Sequence, residues 1–235
     1  MFQFRQFEID DSMTAMKVGT DGVLLGAWAF ESHSPHHILD IGTGTGIIAL
    51  MLAQRFDNTR ITAIEIDPEA ARQARLNIEH SPWKDRIEVI TGDILEYDPP
   101  QPFDAIVSNP PFFNQQLRSP DIRRATSRHE SDLTLERLIN KAADILTDDG
   151  IFAFIAPSER LDELTYKTAF ARIDLERITH VAPNSHSTPI RILLQGRKGP
   201  AQTYQTDRLD IRSGSRYTTA YQTLTGNFYL DKTFK

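Results

Sequence analysis

From residue 37 onward, short apolar runs rich in β-branched residues alternate with longer stretches in which apolar positions recur every three or four residues. The runs predict strands over 37–41, 60–66, 86–91, 103–108 and 150–156, and the stretches predict helices over 45–55, 68–79, 133–146 and 159–171. Two further runs, 175–181 and 190–195, predict a closing pair of strands. Strand–helix alternation of this kind predicts a parallel sheet with helices on both faces. The closing pair is joined only by the segment 183–189, whereas parallel neighbours need a crossover of about a dozen residues or more, so the last strand is expected to run antiparallel to the rest. Punctuation supports the periods: Asp67-Pro68-Glu69 supplies an N-cap, a proline at the first helical position and an acid in the first turn.

Two segments lie outside this alternation. Residues 1–30 form an extra N-terminal piece with a helix-like run over 23–29, and residues 200–235 form a polar tail rich in Tyr and Thr with no clear period. No repeat, low-complexity tract or Gly/Ser linker divides the chain, so 1–235 is read as one domain with its core over 37–197.

Composition narrows the function. With 235 residues, 40% hydrophobic and 25% charged, the chain has the make-up of an ordinary globular protein. It has no cysteine, which removes disulfides, thiolate metal sites and thiol nucleophiles together and suits a reducing cytosol. No basic leader precedes an apolar stretch, and no run reaches the roughly 18 apolar residues of a membrane span, so no membrane association is expected. A net charge of -6 argues against a broad, nonspecific grip on nucleic acid and leaves room only for a local basic patch.

The candidate chemistry lies at strand ends. The first strand runs straight into Gly42-Thr43-Gly44-Thr45-Gly46, where glycines let a ligand approach the backbone and the following helix offers free N–H groups. Ile47 occupies the place where a dinucleotide fingerprint would want its third glycine, which weakens a nicotinamide reading. About twenty residues on, Glu65-Ile66-Asp67 ends the next strand, and Glu65 is the better candidate to accept ribose hydroxyls because Asp67 has a helix to cap. Asp93-Ile94 follows the third strand on the same edge, where an acid could accept from an exocyclic amine. Ser108-Asn109-Pro110-Pro111-Phe112-Phe113 ends the fourth. The tetrapeptide Asn-Pro-Pro-Phe is expected by chance in roughly one chain per thousand of this length. The two prolines stiffen the backbone, Asn109 adds an amide oxygen, and an aromatic ring stands beside them, a set suited to holding the NH2 group of a planar base.

In that order, DIGTGTG, IEID, TGDI and SNPPF resemble the motifs of class I S-adenosylmethionine-dependent methyltransferases, whose fold is a Rossmann-like, mostly parallel seven-stranded sheet with an antiparallel last strand. With Met16 to Trp28 (MKVGTDGVLLGAW), the chain resembles the bacterial tRNA1(Val) (adenine-37-N6)-methyltransferase family over about residues 5–200. The resemblance implies S-adenosylmethionine as cofactor, S-adenosylhomocysteine as its product, no metal, and a tRNA substrate, with no obligate protein partner evident. It implies that Gly42, Gly44 and Gly46 pass under the methionine part of the cofactor with Asp40 ordering the turn. Glu65 would hold the ribose and Asp93 with Ile94 the adenine, Ile66 would also belong to the cofactor site, and Thr20 and Asp21 in the segment 1–30 would close the pocket. Asn109, Pro110, Pro111 and Phe112 would receive the target base. The same corner serves enzymes acting on the guanine N2 amine of rRNA or on a protein glutamine amide, so nitrogen chemistry alone leaves those readings open. Outside the class, an NAD-dependent oxidoreductase or a noncatalytic RNA-binding module remains.

RNA contacts are expected from the loop after the corner: Phe113, Arg118, Arg123, Arg124, Arg128 and His129. A second basic set, Arg191, Arg197, Lys198, Arg208, Arg212 and Arg216, reads more readily as solvated charge than as a binding face, and His36-His37 reads as the start of a strand.

Overall fold

In the computed structural model, which describes residues 1–14, 17–110 and 134–234, the chain opens with a small antiparallel hairpin of β1 (Phe2–Gln3) and β2 (Glu8–Ile9), followed by α1 (Thr20–Trp28). The alternating part comprises β3 (His37–Ile41), α2 (Ile47–Arg55), β4 (Arg60–Glu65), α3 (Pro68–Glu79), β5 (Ile87–Thr91) and β6 (Phe103–Ser108). It continues with α4 (Leu135–Ile145), β7 (Leu146–Pro157), α5 (Leu161–Phe170), β8 (Ile173–Asn184) and β9 (Arg191–Lys198). Local rules account for several of these boundaries. The Asp67 carboxylate accepts from the Glu69 N–H at 2.9 Å ahead of Pro68, and Thr134 caps α4 by accepting from the Arg137 N–H at 3.2 Å. His36 and His37 sit at the mouth of β3, where both backbone N–H groups donate to the Asp104 carboxylate.

The main sheet runs β11-β10-β8-β9-β7-β6-β3-β4-β5, with β10 (Gln205–Ser213) and β11 (Arg216–Tyr217) coming from the tail. Strands β5, β4, β3, β6 and β7 are mutually parallel, and β9 lies antiparallel between β7 and β8, as its short connection requires. The seven expected strands are therefore present, but the sheet has nine strands among the described residues. The tail adds β10 parallel to β8 and β11 antiparallel to β10, and then α6 (Thr219–Thr225). Its strands escaped the hydrophobic pattern because β10 is an edge-side strand with one fully buried residue, Leu209, among exposed and half-buried ones.

The two faces of the sheet carry separate cores. One is filled by α1, α2, the N-terminal aromatics Phe4 and Phe7, and the tail residues Tyr221, Phe228 and Tyr229; the other is filled by α4 and α5 against β6, β7 and β9. Helices α1 and α2 are buried nearly all round, α1 lying over α2, which is why neither shows a strong amphipathic stripe. Because β3 to β6 are parallel, their C-terminal ends share one edge and deliver Gly42, Glu65, Asp93 and Asn109 to it.

Candidate active site

The glycine turn after β3 is held in a left-handed course, with φ of +71° at Gly42, +56° at Gly44 and +82° at Gly46. The Gly42 and Thr43 N–H groups donate to the Ile64 carbonyl at 2.9 and 3.2 Å, and the Gly44 N–H donates to the Glu65 carboxylate at 2.9 Å, so β4 braces the turn along its length. A Cβ placed on Gly42 or Gly44 would meet no atom within 4 Å: the outer surface of the turn is open, and the glycines there answer to backbone course and not to crowding. Gly44→Ala should accordingly lose about 1–2 kcal/mol of stability to the left-handed backbone alone, read by urea denaturation. A stability equal to wild type would mean that the turn is free to change course.

Asp40 stands fully buried under the turn. Its Oδ2 accepts from the Thr43 hydroxyl at 2.6 Å, while its Oδ1 makes no hydrogen bond of good geometry, the Ala49 N–H giving only a weaker favourable interaction. Burial pushes its carboxyl up from 3.8 to about 7; the Thr43 hydroxyl opposes this and the Glu65 charge adds to it. The folded chain thus keeps this proton where the unfolded chain has released it, so stability contributed by Asp40 is full below about pH 4 and is lost as pH rises toward 7. Melting temperatures of the ligand-free protein should fall across that window relative to Asp40→Asn; parallel curves would refute the buried acid.

The remaining strand ends lie beside the turn. Glu65 accepts from the Asp67 N–H at 3.0 Å with its second oxygen, and burial raises its pKa against the hydrogen bonds that lower it. Ile66 next to it is an exposed apolar side chain, 38% accessible. Asp93 is half-buried, with Oδ1 accepting from the Leu95 N–H at 2.9 Å, and Ile94 is packed into the core below.

A cavity of about 730 Å3 opens on the other side of the turn. Its wall includes Thr20 and Asp21 at the start of α1, Gly42 to Thr45, Asn109, and Arg191 at the start of β9. Glu65, Ile66, Asp93 and Ile94 are not part of this wall, so the candidate residues divide between the cavity and the neighbouring strand ends. Ser108 ties the end of β6 to β3 by donating to the Ile41 carbonyl at 3.0 Å, which sets Asn109 next to the turn. The Asn109 Oδ1 is buried with no hydrogen-bond partner among the described residues. Such an atom is costly unless something donates to it. Pro110 is buried beside it, whereas Pro111, Phe112, Phe113, Arg118, Arg123, Arg124, Arg128 and His129 lie outside the described residues.

Sequence reasoning missed the far wall of the cavity, made by Phe2 from β1 and by Ile211, Tyr217, Tyr221 and Tyr229 from the tail. The density of tyrosines in the tail was the available signal. The structure also gives most of the second basic set internal work. Arg197 donates to the Asp149 carbonyl and pairs with Glu176, Lys198 donates to the Leu146 carbonyl, and Arg208 donates to the Asn184 and Ser187 carbonyls of the β8–β9 turn. Arg212 lies over the Tyr217 ring, 4.1 Å from its centroid, and Arg191 pairs with Asp21. Among the described residues no cluster is placed to hold a metal, and no helix is long and apolar enough to cross a membrane.

A seven-stranded core with one antiparallel strand, carrying a glycine turn at the C-terminal edge, is the architecture of a methyltransferase, and a family model for the methyltransferase small domain matches residues 19–180. Similar folds include a predicted O-methyltransferase from Agrobacterium tumefaciens, with a TM-score of 0.71 at 20% identity over 88% of this chain and 96% of that one. They also include an N-methyltransferase from Bradyrhizobium japonicum in complex with S-adenosylhomocysteine, with a TM-score of 0.53 at 16% identity over 74% and 83% of the two chains. Much nearer in sequence is the tRNA1(Val) (adenine(37)-N6)-methyltransferase of Porphyromonas gingivalis, 47% identical over 97% of this chain and 94% of its own length. The enzyme of the same description from Vibrio parahaemolyticus is 41% identical over 97% and 95%. The chain belongs to this tRNA1(Val) (adenine(37)-N6)-methyltransferase family.

Proposed function

We propose that this protein transfers a methyl group from S-adenosylmethionine to the N6 amine of adenine 37 in tRNA1(Val), acting in the cytosol. The observation that carries the reading is the Asn109 Oδ1, buried and unpartnered among the described residues, in the wall of the cavity that the glycine turn opens into. An acceptor with no donor beside an open turn suits a ligand amine, and the near full-length relatives act by name on such an amine.

S-adenosylmethionine, when bound, supplies a methyl group already activated on a sulfonium. The chain's task is then mainly to hold nucleophile and methyl carbon in line. The open turn at Gly42 and Gly44, with Thr20 and Asp21 opposite, would hold the methionine end. Glu65 would take the ribose hydroxyls, since its oxygens accept from the Gly44 and Asp67 N–H groups and retain further lone-pair capacity. Asp93 would accept from the adenine amine and Ile66 would cover its ring. The nitrogen to be methylated is a poor nucleophile, because its lone pair is delocalised into the base. Hydrogen bonds from its two N–H groups to the Asn109 side-chain oxygen and the Pro110 carbonyl would favour a more tetrahedral nitrogen and stabilise the charge that develops there. The nitrogen becomes acidic as it is methylated and gives up its proton without a strong base.

The test is methyl transfer from labelled cofactor to bulk tRNA, duplex DNA and protein, with nucleoside mapping. N6-methyladenosine from tRNA alone is expected, with activity that declines with salt as for only a few phosphate contacts. N2-methylguanosine, or label confined to protein, would overturn the assignment.

A further inference from the structure

Arg191 was grouped by sequence with solvated or RNA-facing charges, yet it stands in the cavity wall opposite the first turn of α1. It is the first residue of β9, registered against Pro157 of β7 and Val181 of β8, so its backbone is fixed from both sides by the sheet. Its Nε donates to the Asp21 Oδ2 at 2.8 Å, and both side chains are about two-thirds buried. Asp21 belongs to a helix start that lacks the usual side-chain support: the N-cap is Gly19, which can offer no capping group, and the Val23 N–H reaches the Gly19 carbonyl only at 3.4 Å. The ion pair therefore joins two elements distant in sequence at the place where the cavity needs a fixed wall. The far end of α1 is anchored separately, by the Trp28 indole donating to Thr179 Oγ1 at 2.8 Å and by the Phe30 N–H donating to Gln195 at 2.8 Å.

We propose that Arg191 is a positioning residue for methyl-donor binding: it holds the Asp21 carboxylate and the first turn of α1 against the sheet, so that this wall is in place before the donor arrives. Arg191 thereby acts through Asp21 and not through the RNA. A planar guanidinium bonded through Nε fixes direction as well as charge, which a lysine ammonium does not. The assignment rests on the methyltransferase reading of the cavity.

A double-mutant cycle on S-adenosylhomocysteine affinity, measured by calorimetry, tests it. Arg191→Gln is expected to weaken affinity by about ten-fold, Asp21→Asn by at least as much because it also alters a group proposed to hold the methionine end, and the double variant no more than Asp21→Asn alone, because a broken charge-assisted pair is lost only once. Arg191→Lys should recover part of the loss. The KM for tRNA measured at saturating methyl donor should stay unchanged in Arg191→Gln. Additive losses, or unchanged S-adenosylhomocysteine affinity with a raised KM for tRNA and a shallower salt dependence, would overturn the proposal and make Arg191 a substrate contact. Equal melting temperatures of Arg191→Gln and wild type separate a positioning effect from general unfolding; a loss of affinity that merely tracks a lowered melting temperature counts against it. A wild type that binds S-adenosylhomocysteine but methylates no tRNA would end the proposed function while leaving the cycle readable.

Discussion

Asn109→Ala is expected to slow methyl transfer to tRNA by about 100-fold or more while S-adenosylhomocysteine affinity stays within a few-fold, by analogy with the loss of one preorganised hydrogen-bond partner of a developing charge. The asymmetry follows from what the side-chain oxygen does in the ligand-free protein. It is buried and accepts nothing from the described residues, so truncation strands no donor among them and is expected to leave the fold intact. The loss falls instead on the state in which an amine is being alkylated. Single-turnover rates at saturating cofactor isolate that step, and thermal melting checks the fold. Asn109→Asp, which keeps an acceptor but adds charge, should fall between alanine and wild type. A near wild-type rate in the alanine variant would reduce the corner to a structural turn held by Ser108 and Pro110.

How much of this could be read beforehand depended on the range of the forces involved. Asp67-Pro68-Glu69 announced the start of α3 because capping is decided within three residues, and the short 183–189 connection announced the antiparallel β9 because chain length alone forbids a crossover. The glycine turn and the Asn109 corner were legible for the same reason, each being a local backbone requirement written in Gly and Pro. The tail was not. Its strand β10 pairs with β8 across nearly thirty positions of sequence, Gln205 opposite Arg177, and buries too little to print a period. Arg191, Arg197 and Arg208 looked alike as charges on the chain, and only the fold shows that the first meets Asp21, the second Glu176 and the third the turn carbonyls. The brace between Glu65 and the Gly44 N–H is equally nonlocal: both residues were picked out, but their contact is made by the pairing of β3 with β4.

That brace gives Glu65 two tasks and makes its removal costly. Glu65→Ala is expected to weaken S-adenosylhomocysteine binding by about 1–3 kcal/mol, the range for leaving hydrogen-bonding groups without their partner. Part of the loss would come from the ribose hydroxyls the carboxylate is proposed to hold, and part from the Gly44 N–H, whose acceptor at 2.9 Å disappears and leaves the turn less firmly fixed. Glu65→Gln separates the two, since its single carbonyl oxygen can keep one acceptor role but not both, and an intermediate affinity is expected. The pH dependence supplies a further check. Burial raises the Glu65 pKa, and a proton on the carboxylate occupies an oxygen that should be accepting, so affinity should decline as pH falls toward that raised pKa and should do so less in Glu65→Gln. Ligand-free stability runs the other way, because a carboxyl whose pKa is raised by folding favours the folded state at low pH and loses that contribution as pH rises. Calorimetric affinities and melting temperatures of the wild type, each taken relative to Glu65→Gln over one pH series, should therefore slope in opposite directions. Affinity unchanged in Glu65→Ala, or a pH profile identical in Glu65→Gln, would place the ribose elsewhere on the sheet edge.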